Sequence, residues 1–317
     1  MILVLRALGV GDLATAVPAL RALRAGFPDR ELVLAAPDWL SPLVDLVGGV
    51  DRVLPVTGLA PPDRPGPSPG IAVNLHGRGP QSHALLLAAD PGRLFAFRCP
   101  SAGHPDGPEW DDTEHEVRRW CRLLDWYGLP AEPGDLALAR PAPDRAPVGV
   151  TVLHPGTKVP AKRWSPARFA AVARHLARTG HRVVVTGSPT ERAVAEQVAR
   201  RAGLPPTAVL AGRTGLTDLA ALVAHARLVV SGDTGVAHLA TGYGTPSVVL
   251  FGPVPPTRWG PPPDRPRHRV LWAGTGSDPR WDGVGMHPTM AVLSVDQVLA
   301  EVDEAERAVR DDGAVAA

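Results

Sequence analysis

Leu228-Val-Val-Ser231-Gly232-Asp233-Thr234-Gly235-Val236-Ala237-His238 runs from a short apolar stretch, through a glycine-bracketed turn, into the start of a helix. A strand that feeds directly into a helix is half of a βαβ unit, and repetition of that unit gives a parallel sheet covered by helices. The turn also has a chemical reading. Backbone N–H groups at Thr234 and Gly235, at the positive end of the helix dipole, form an anion site suited to a diphosphate. The same residues also read as an ordinary Asp-capped helix with His238 satisfied inside the fold. No Gly-Lys-Ser/Thr follows, so the turn is not a Walker loop.

The same alternation recurs on either side of this turn. Gly149–His154 opens a series with helix Pro166–Thr179, strand Arg182–Thr186, helices Thr190–Ala202 and Leu216–Ala226, strand Leu228–Ser231, helix Gly235–Gly242 and strand Ser247–Phe251. Upstream, strand Ile2–Leu5, turn Gly9–Asp12 and helix Leu13–Ala25 lead to strand Glu31–Ala35, helix Trp39–Val47 and strands Arg52–Val56 and Ile71–Leu75. Between the two series, the proline-dense Ala139–Pro147 can hold neither a helix nor a central strand. The expected fold is α/β, with two Rossmann-like, doubly wound parallel-sheet domains at 1–143 and 144–293. A terminal segment, 294–317, carries Val295, Val298, Leu299 and Val302 at helical spacing behind a Ser294 cap. Arg258-Trp259-Gly260 and Trp281-Asp282 fall in loops too irregular to assign.

The chain has 317 residues, 44% hydrophobic and 21% charged, with a formal net charge of +1. It is long enough for two cores and has no basic footprint for nucleic acid. Cys99 and Cys121 lack metal-ligand spacing and read as buried thiols of a reducing compartment. There is no basic leader with a cleavage site, and no stretch reaches the roughly 18 apolar residues of a membrane span. This composition predicts a cytoplasmic protein with at most peripheral membrane contact.

Several constellations carry chemistry. Only two of the 33 cationic residues are lysines, and both fall in His154-Pro-Gly-Thr157-Lys158-Val-Pro-Ala-Lys162-Arg-Trp164. A lysine is a compact point charge suited to a phosphate oxygen in a narrow space. The segment follows a strand, as the Asp233 turn does, so both leave the carboxyl edge of the sheet and can share one ligand. Thr186-Gly187-Ser188-Pro-Thr-Glu191 follows the next strand, where Glu191 can accept hydrogen bonds from a ribose diol or serve as a helix N-terminal acid. Gly9-Val-Gly11-Asp12 follows the first strand; without a third glycine it is no dinucleotide fingerprint, and Asp12 is either a site carboxylate or a helix cap. Asn74-Leu-His76-Gly-Arg78 ends another strand, so that His76 and Arg78 could touch a second substrate or lie in a solvated loop. No His, Cys or carboxylate cluster has metal spacing, so neither a metal nor a cofactor is indicated.

In this order the pieces resemble glycosyltransferase family 9, the heptosyltransferases that use ADP-heptose, over essentially the whole chain. Gly-x-Gly-Asp12 with Pro18-Ala-Leu resembles the family's opening motif. His154-Pro-Gly-Thr157 to Lys162-Arg-Trp164 resembles its phosphate segment, Asp233-Thr-Gly-Val-Ala-His238 its donor helix, and Glu191 its ribose acid. The resemblance implies a GT-B architecture, two domains facing a central cleft, and an inverting, metal-independent transfer. Asp12 would be the catalytic base, with Gly11, His76 and Arg78 on the acceptor side. Thr157, Lys158, Lys162, Asp233, Thr234 and Gly235 would hold the donor diphosphate, Glu191 and Gly187 the nucleotide, with His238 beside them. The family's usual acceptor is lipopolysaccharide core. The arginine- and proline-rich composition resembles actinobacterial proteins and makes another envelope glycan or a secondary metabolite an alternative acceptor. A UDP-sugar transferase, a non-hydrolysing nucleotide-sugar epimerase and a noncatalytic nucleotide-sugar-binding module remain open readings.

Overall fold

The structure is a computed structural model that describes residues 1–60, 67–276 and 285–315. The chain divides into two compact units, Met1–Ala139 and Arg140–Ala317. Trp281 and Asp282 lie outside the described residues.

The first unit holds five parallel strands, β1 (Ile2–Leu5), β2 (Leu32–Ala36), β3 (Arg52–Pro55), β4 (Ile71–Asn74) and β5 (Leu94–Phe95), in the order β3-β2-β1-β4-β5. β1, β2 and β4 are buried along their whole length, as expected for strands covered on both faces. The helices are α1 (Val10–Thr15), α2 (Val17–Gly26), α3 (Ser41–Val47), α4 (Gln81–Leu87) and α5 (Glu116–Trp126). Strand order reverses between β1 and β4, whose registers align Leu5 with Asn74. A crevice opens at such a switch point in open α/β sheets, and ligands bind there at the carboxyl ends.

The second unit holds β6 (Thr151–His154), β7 (Val183–Val185), β8 (Leu228–Gly232), β9 (Ser247–Phe251) and β10 (His268–Trp272), ordered β10-β9-β8-β6-β7 and again all parallel. Its helices are α6 (Pro166–Arg178), α7 (Arg192–Ala202), α8 (Leu216–Ala224), α9 (Gly235–Tyr243), α10 (Pro256–Trp259), α11 (Pro288–Ala291) and α12 (Val295–Val315). Its switch point lies between β6 and β8, where His154 is aligned with Ser231. Numbered within itself, this sheet runs 2-1-3-4-5, whereas the first runs 3-2-1-4-5. The two units are therefore distinct windings, and each brings two of the glycine-bearing loops to its own switch point.

Several local expectations change. The expected turn Gly9–Asp12 is already helical from Val10, with Gly9 as N-cap and Asp12 as third residue. The single helix expected over Leu13–Ala25 is two, because Pro18 has no N–H to bond back into α1, and its ring crowds the preceding turn. Pro189–Glu191 and Asp38–Leu40 form 3₁₀ turns ahead of α7 and α3. Arg258 and Trp259, unassigned from sequence, lie on α10.

The joint between units is tied on both sides. Ala139 donates to the Leu46 carbonyl at 2.9 Å, and Arg21 of α2 holds the carbonyl of Ala137. Arg140 donates to the last carbonyls of two helices of the second unit, Ala224 of α8 and Tyr243 of α9. Both cysteines are buried and free, and burial pushes the Cys121 thiol up to about 12. No helix among the described residues is long and apolar enough to cross a membrane.

Candidate functional site

At the switch point of the first unit, β1 leads to Asp12 and β4 leads to His76. Asp12 Oδ2 accepts the Gly9 N–H at 3.0 Å, closing the first turn of α1 on itself. That bond fixes the carboxylate while leaving its side chain 29% exposed, so the group is both oriented and reachable. Beneath it lies Arg6, whose guanidinium is fully buried. Arg6 Nε donates to the Asp12 carbonyl at 2.9 Å, and Nη2 to Thr15 Oγ1 at 3.2 Å and Glu116 Oε1 at 3.1 Å; Nη2 lies 3.8 Å from Asp12 Oδ1.

His76 donates its backbone N–H to Asn74 Oδ1 at 3.0 Å, while its buried Nδ1 has no hydrogen-bond partner. Burial holds the imidazole below its ordinary value; the Arg6 charge pushes in the same direction and the Asp12 charge opposes it. At neutral pH it is therefore an uncharged ring with an idle buried nitrogen. Gly11 lies in the first turn of α1. Arg78 is not part of this group: it is exposed and its nearest carboxylate is Asp112, at 3.7 Å.

At the switch point of the second unit, Lys162 comes from the loop after β6 and Asp233 from the loop after β8. Their ion pair is 2.6 Å long. The Asp233 side chain is 5% exposed and the Lys162 side chain 22%, so the ammonium is the reachable member of the pair. His238, one turn into α9, places Nε2 3.8 Å from Asp233 Oδ1, and its ring meets the edge of Trp259 at 5.9 Å. Thr234 is the N-cap of α9, with Gly235 its first helical residue. Thr234 Oγ1 and Ser231 Oγ are both buried without a hydrogen-bond partner. The Lys162 ammonium is thus held by Asp233, the residue just ahead of the α9 N-cap, and an ammonium beside a helix N-terminus is a donor set an anionic oxygen takes.

Beside this lies the Glu191 group. Glu191 accepts the Ser188 N–H at 2.8 Å, closing a capping box at the head of α7. Its carboxylate lies against Gly156, where a Cβ would come within 2.3 Å of the carboxyl carbon, so a side chain there would displace the carboxylate. A Cβ added at Gly187 would lie 3.2 Å from the Glu191 Cβ, a tight but less severe approach. His154 Nδ1 pairs with Thr186 Oγ1 at 2.9 Å, and burial holds His154 low against the opposing charge of Glu191. Thr157 Oγ1 accepts the Val159 N–H at 3.2 Å, and Lys158 is exposed. Trp164 belongs to the core: it is 2% exposed, packs edge-on to Phe169 and donates to the Leu293 carbonyl. No group of three or more potential metal ligands occurs among the described residues.

Sequence reasoning missed Arg6, Glu116 and Arg258. A charge at the end of an otherwise apolar strand is the one signal the sequence offers for Arg6. Arg258 Nε on α10 is buried without a partner.

Comparisons with known proteins bear on the family and the fold. The family described as Glycosyltransferase family 9 (heptosyltransferase) matches residues 110–281, more than half of the chain. "Lipopolysaccharide heptosyltransferase 2" of Escherichia coli (strain K12) is 23% identical, covering 95% of this chain and 97% of that one. "Lipopolysaccharide heptosyltransferase 3" of Escherichia coli is 34% identical over 122 residues, covering 37% of this chain and 36% of that protein. Like the latter, the other first curated relatives are matched over only about a third of their length. The family 9 glycosyltransferase structure from Veillonella parvula DSM 2008 superposes with a TM-score of 0.81 at 20% identity, covering 98% of this chain and 97% of that one. These structures share the two-sheet GT-B fold. With the profile match spanning both units, the chain belongs to glycosyltransferase family 9, the heptosyltransferases.

Proposed function

We propose that the protein moves a heptose-type sugar from an ADP-sugar to an acceptor hydroxyl with inversion at the anomeric carbon. The observation that carries this reading is the reachable Lys162 ammonium held by Asp233 at the N-terminus of α9. In this reading the second unit holds the donor. The α9 N-terminus, Thr234 and Lys162 bind the diphosphate, Thr157 and Lys158 border it, and Glu191 and Gly187 receive the ribose. Asp233 keeps the ammonium aimed. As the glycosidic bond breaks, charge grows on the leaving diphosphate, and fixed positive groups stabilise that charge without reorganising.

Asp12 is the base. It takes the proton of the acceptor hydroxyl as that oxygen attacks the anomeric carbon opposite the leaving group. Gly11 and His76 line the acceptor side, with Arg78 exposed outside that group as a further contact for a large acceptor; a glycan such as lipopolysaccharide core, another envelope glycan or a small hydroxylated metabolite fits the chemistry. The ammonium and helix dipole supply the countercharge that a divalent ion supplies elsewhere, so the transfer is metal-independent. Work on an ADP-sugar fits a cytoplasmic protein. Incubation with ADP-heptose and acceptor pools, read by mass spectrometry, tests the reading. The expected result is an acceptor heavier by one heptose, with activity kept in EDTA and lost in Asp12→Asn. Full activity of Asp12→Asn would remove the base assignment.

A further inference from the structure

The buried cation under Asp12 is shared. Arg6 Nη2 meets Glu116 Oε1 at 3.1 Å and lies 3.8 Å from Asp12 Oδ1, so one nitrogen faces two carboxylates. The guanidinium is held on every side, by the carbonyls of Asp12 and Leu75, by Thr15 and by the Trp120 ring, whose centroid is 4.7 Å away. Glu116 is fixed as firmly, accepting from Trp120 Nε1 at 3.0 Å and from Arg119. Neither residue is reachable from solvent, with side-chain exposures of 0% and 7%.

We propose that Arg6 and Glu116 are positioning residues that hold the Asp12 carboxylate and set its strength as a base. The inference rests on the reading of Asp12 as the base. A cation beside a carboxylate favours the ionised form and lowers its appetite for a proton. Glu116 faces the same nitrogen and draws part of that field to itself, so removing either partner changes the charge that Asp12 meets. The charged and titratable groups around Asp12 are Arg6 from the end of β1, His76 from the end of β4, and Glu116 backed by Arg119 from α5. His76 stays neutral near pH 7, so the Arg6–Glu116 pair dominates.

The test uses the full-length enzyme with ADP-heptose and a heptose-free lipopolysaccharide core, following ADP release as a function of pH. Arg6→Met is expected to move the acidic limb of kcat/KM to higher pH, and Glu116→Gln to lower pH. The double variant returns toward the wild-type limb. Arg6→Met also lowers kcat on the order of 100-fold, the scale of a misplaced reacting group, while ADP affinity measured by calorimetry is unchanged. Arg6→Lys restores part of kcat. Should Arg6→Met fail to fold, the direction of the Glu116→Gln shift decides alone. Limbs that stay put, or that move the same way in both folded single variants, overturn the proposal. Its failure is separable from that of the base reading: an active Asp12→Asn sinks both, whereas an inactive Asp12→Asn with unmoved limbs sinks only the positioning role.

Discussion

Lys158 and Lys162 share a loop, but their surroundings differ. Lys162 is fixed by Asp233 at the head of α9, whereas Lys158 is exposed. A charge-assisted hydrogen bond to an anion contributes about 1.5–3 kcal/mol. Lys162→Ala should therefore weaken ADP binding roughly 10- to 100-fold, and Lys158→Ala far less; calorimetry with ADP distinguishes them, and equal losses would contradict the placement. Gly156 allows a second test at the same scale. A methyl group there meets only the tip of Glu191, which can swing away, so Gly156→Ala should fold normally. Having displaced the carboxylate, it should bind ADP as poorly as Glu191→Ala, and the double variant should be no worse than either single one. Additive losses would show that Gly156 and Glu191 act separately.

Among the elements, the strand–turn–helix units at β1, β6 and β8 were legible because apolar runs and glycine turns repeat there. Helix α5 was not. Its apolar residues Val117, Trp120, Cys121 and Leu124 keep a helical spacing, but Glu116 and Arg119 lie buried among them, so the charges that serve Arg6 sit on the face that would otherwise read as apolar. Its N-cap is His115, whose Nδ1 accepts the Val117 N–H, not one of the usual capping residues. Asp12, Lys162, Glu191 and Asp233 could be picked out because each follows a strand. Arg6 escaped notice because buried ion pairs leave no pattern in one dimension. Helix ends also carry a prediction. Arg140 binds the final carbonyls of α8 and α9, so Arg140→Met should destabilise the second unit by about 1 kcal/mol, read as a lower urea midpoint. An unchanged midpoint would mean that solvent caps those carbonyls as well.

The whole molecule should be sensitive to acid. His268 is buried, with Nδ1 on Ser247 Oγ at 2.9 Å and Nε2 unpartnered, and burial lowers it from 6.5 to about 4. Below about pH 6.5 the unfolded chain takes up a proton that the folded chain refuses until about 4, so stability falls across that window. Over the window the loss is roughly 3 kcal/mol from this residue. His76, His83, His154 and His181 are shifted in the same direction by burial. Melting temperatures between pH 7 and 4 should therefore drop more steeply in the wild type than in His268→Asn, and parallel curves would refute the assignment.

The tethered joint at Ala139–Arg140 has a practical consequence. Each unit has its own sheet and switch point, and the polypeptide passes between them once. Segmental ligation at that bond could then place isotopes or fluorine labels in one half only. Spectra of the labelled half would report nucleotide binding without overlap from the other.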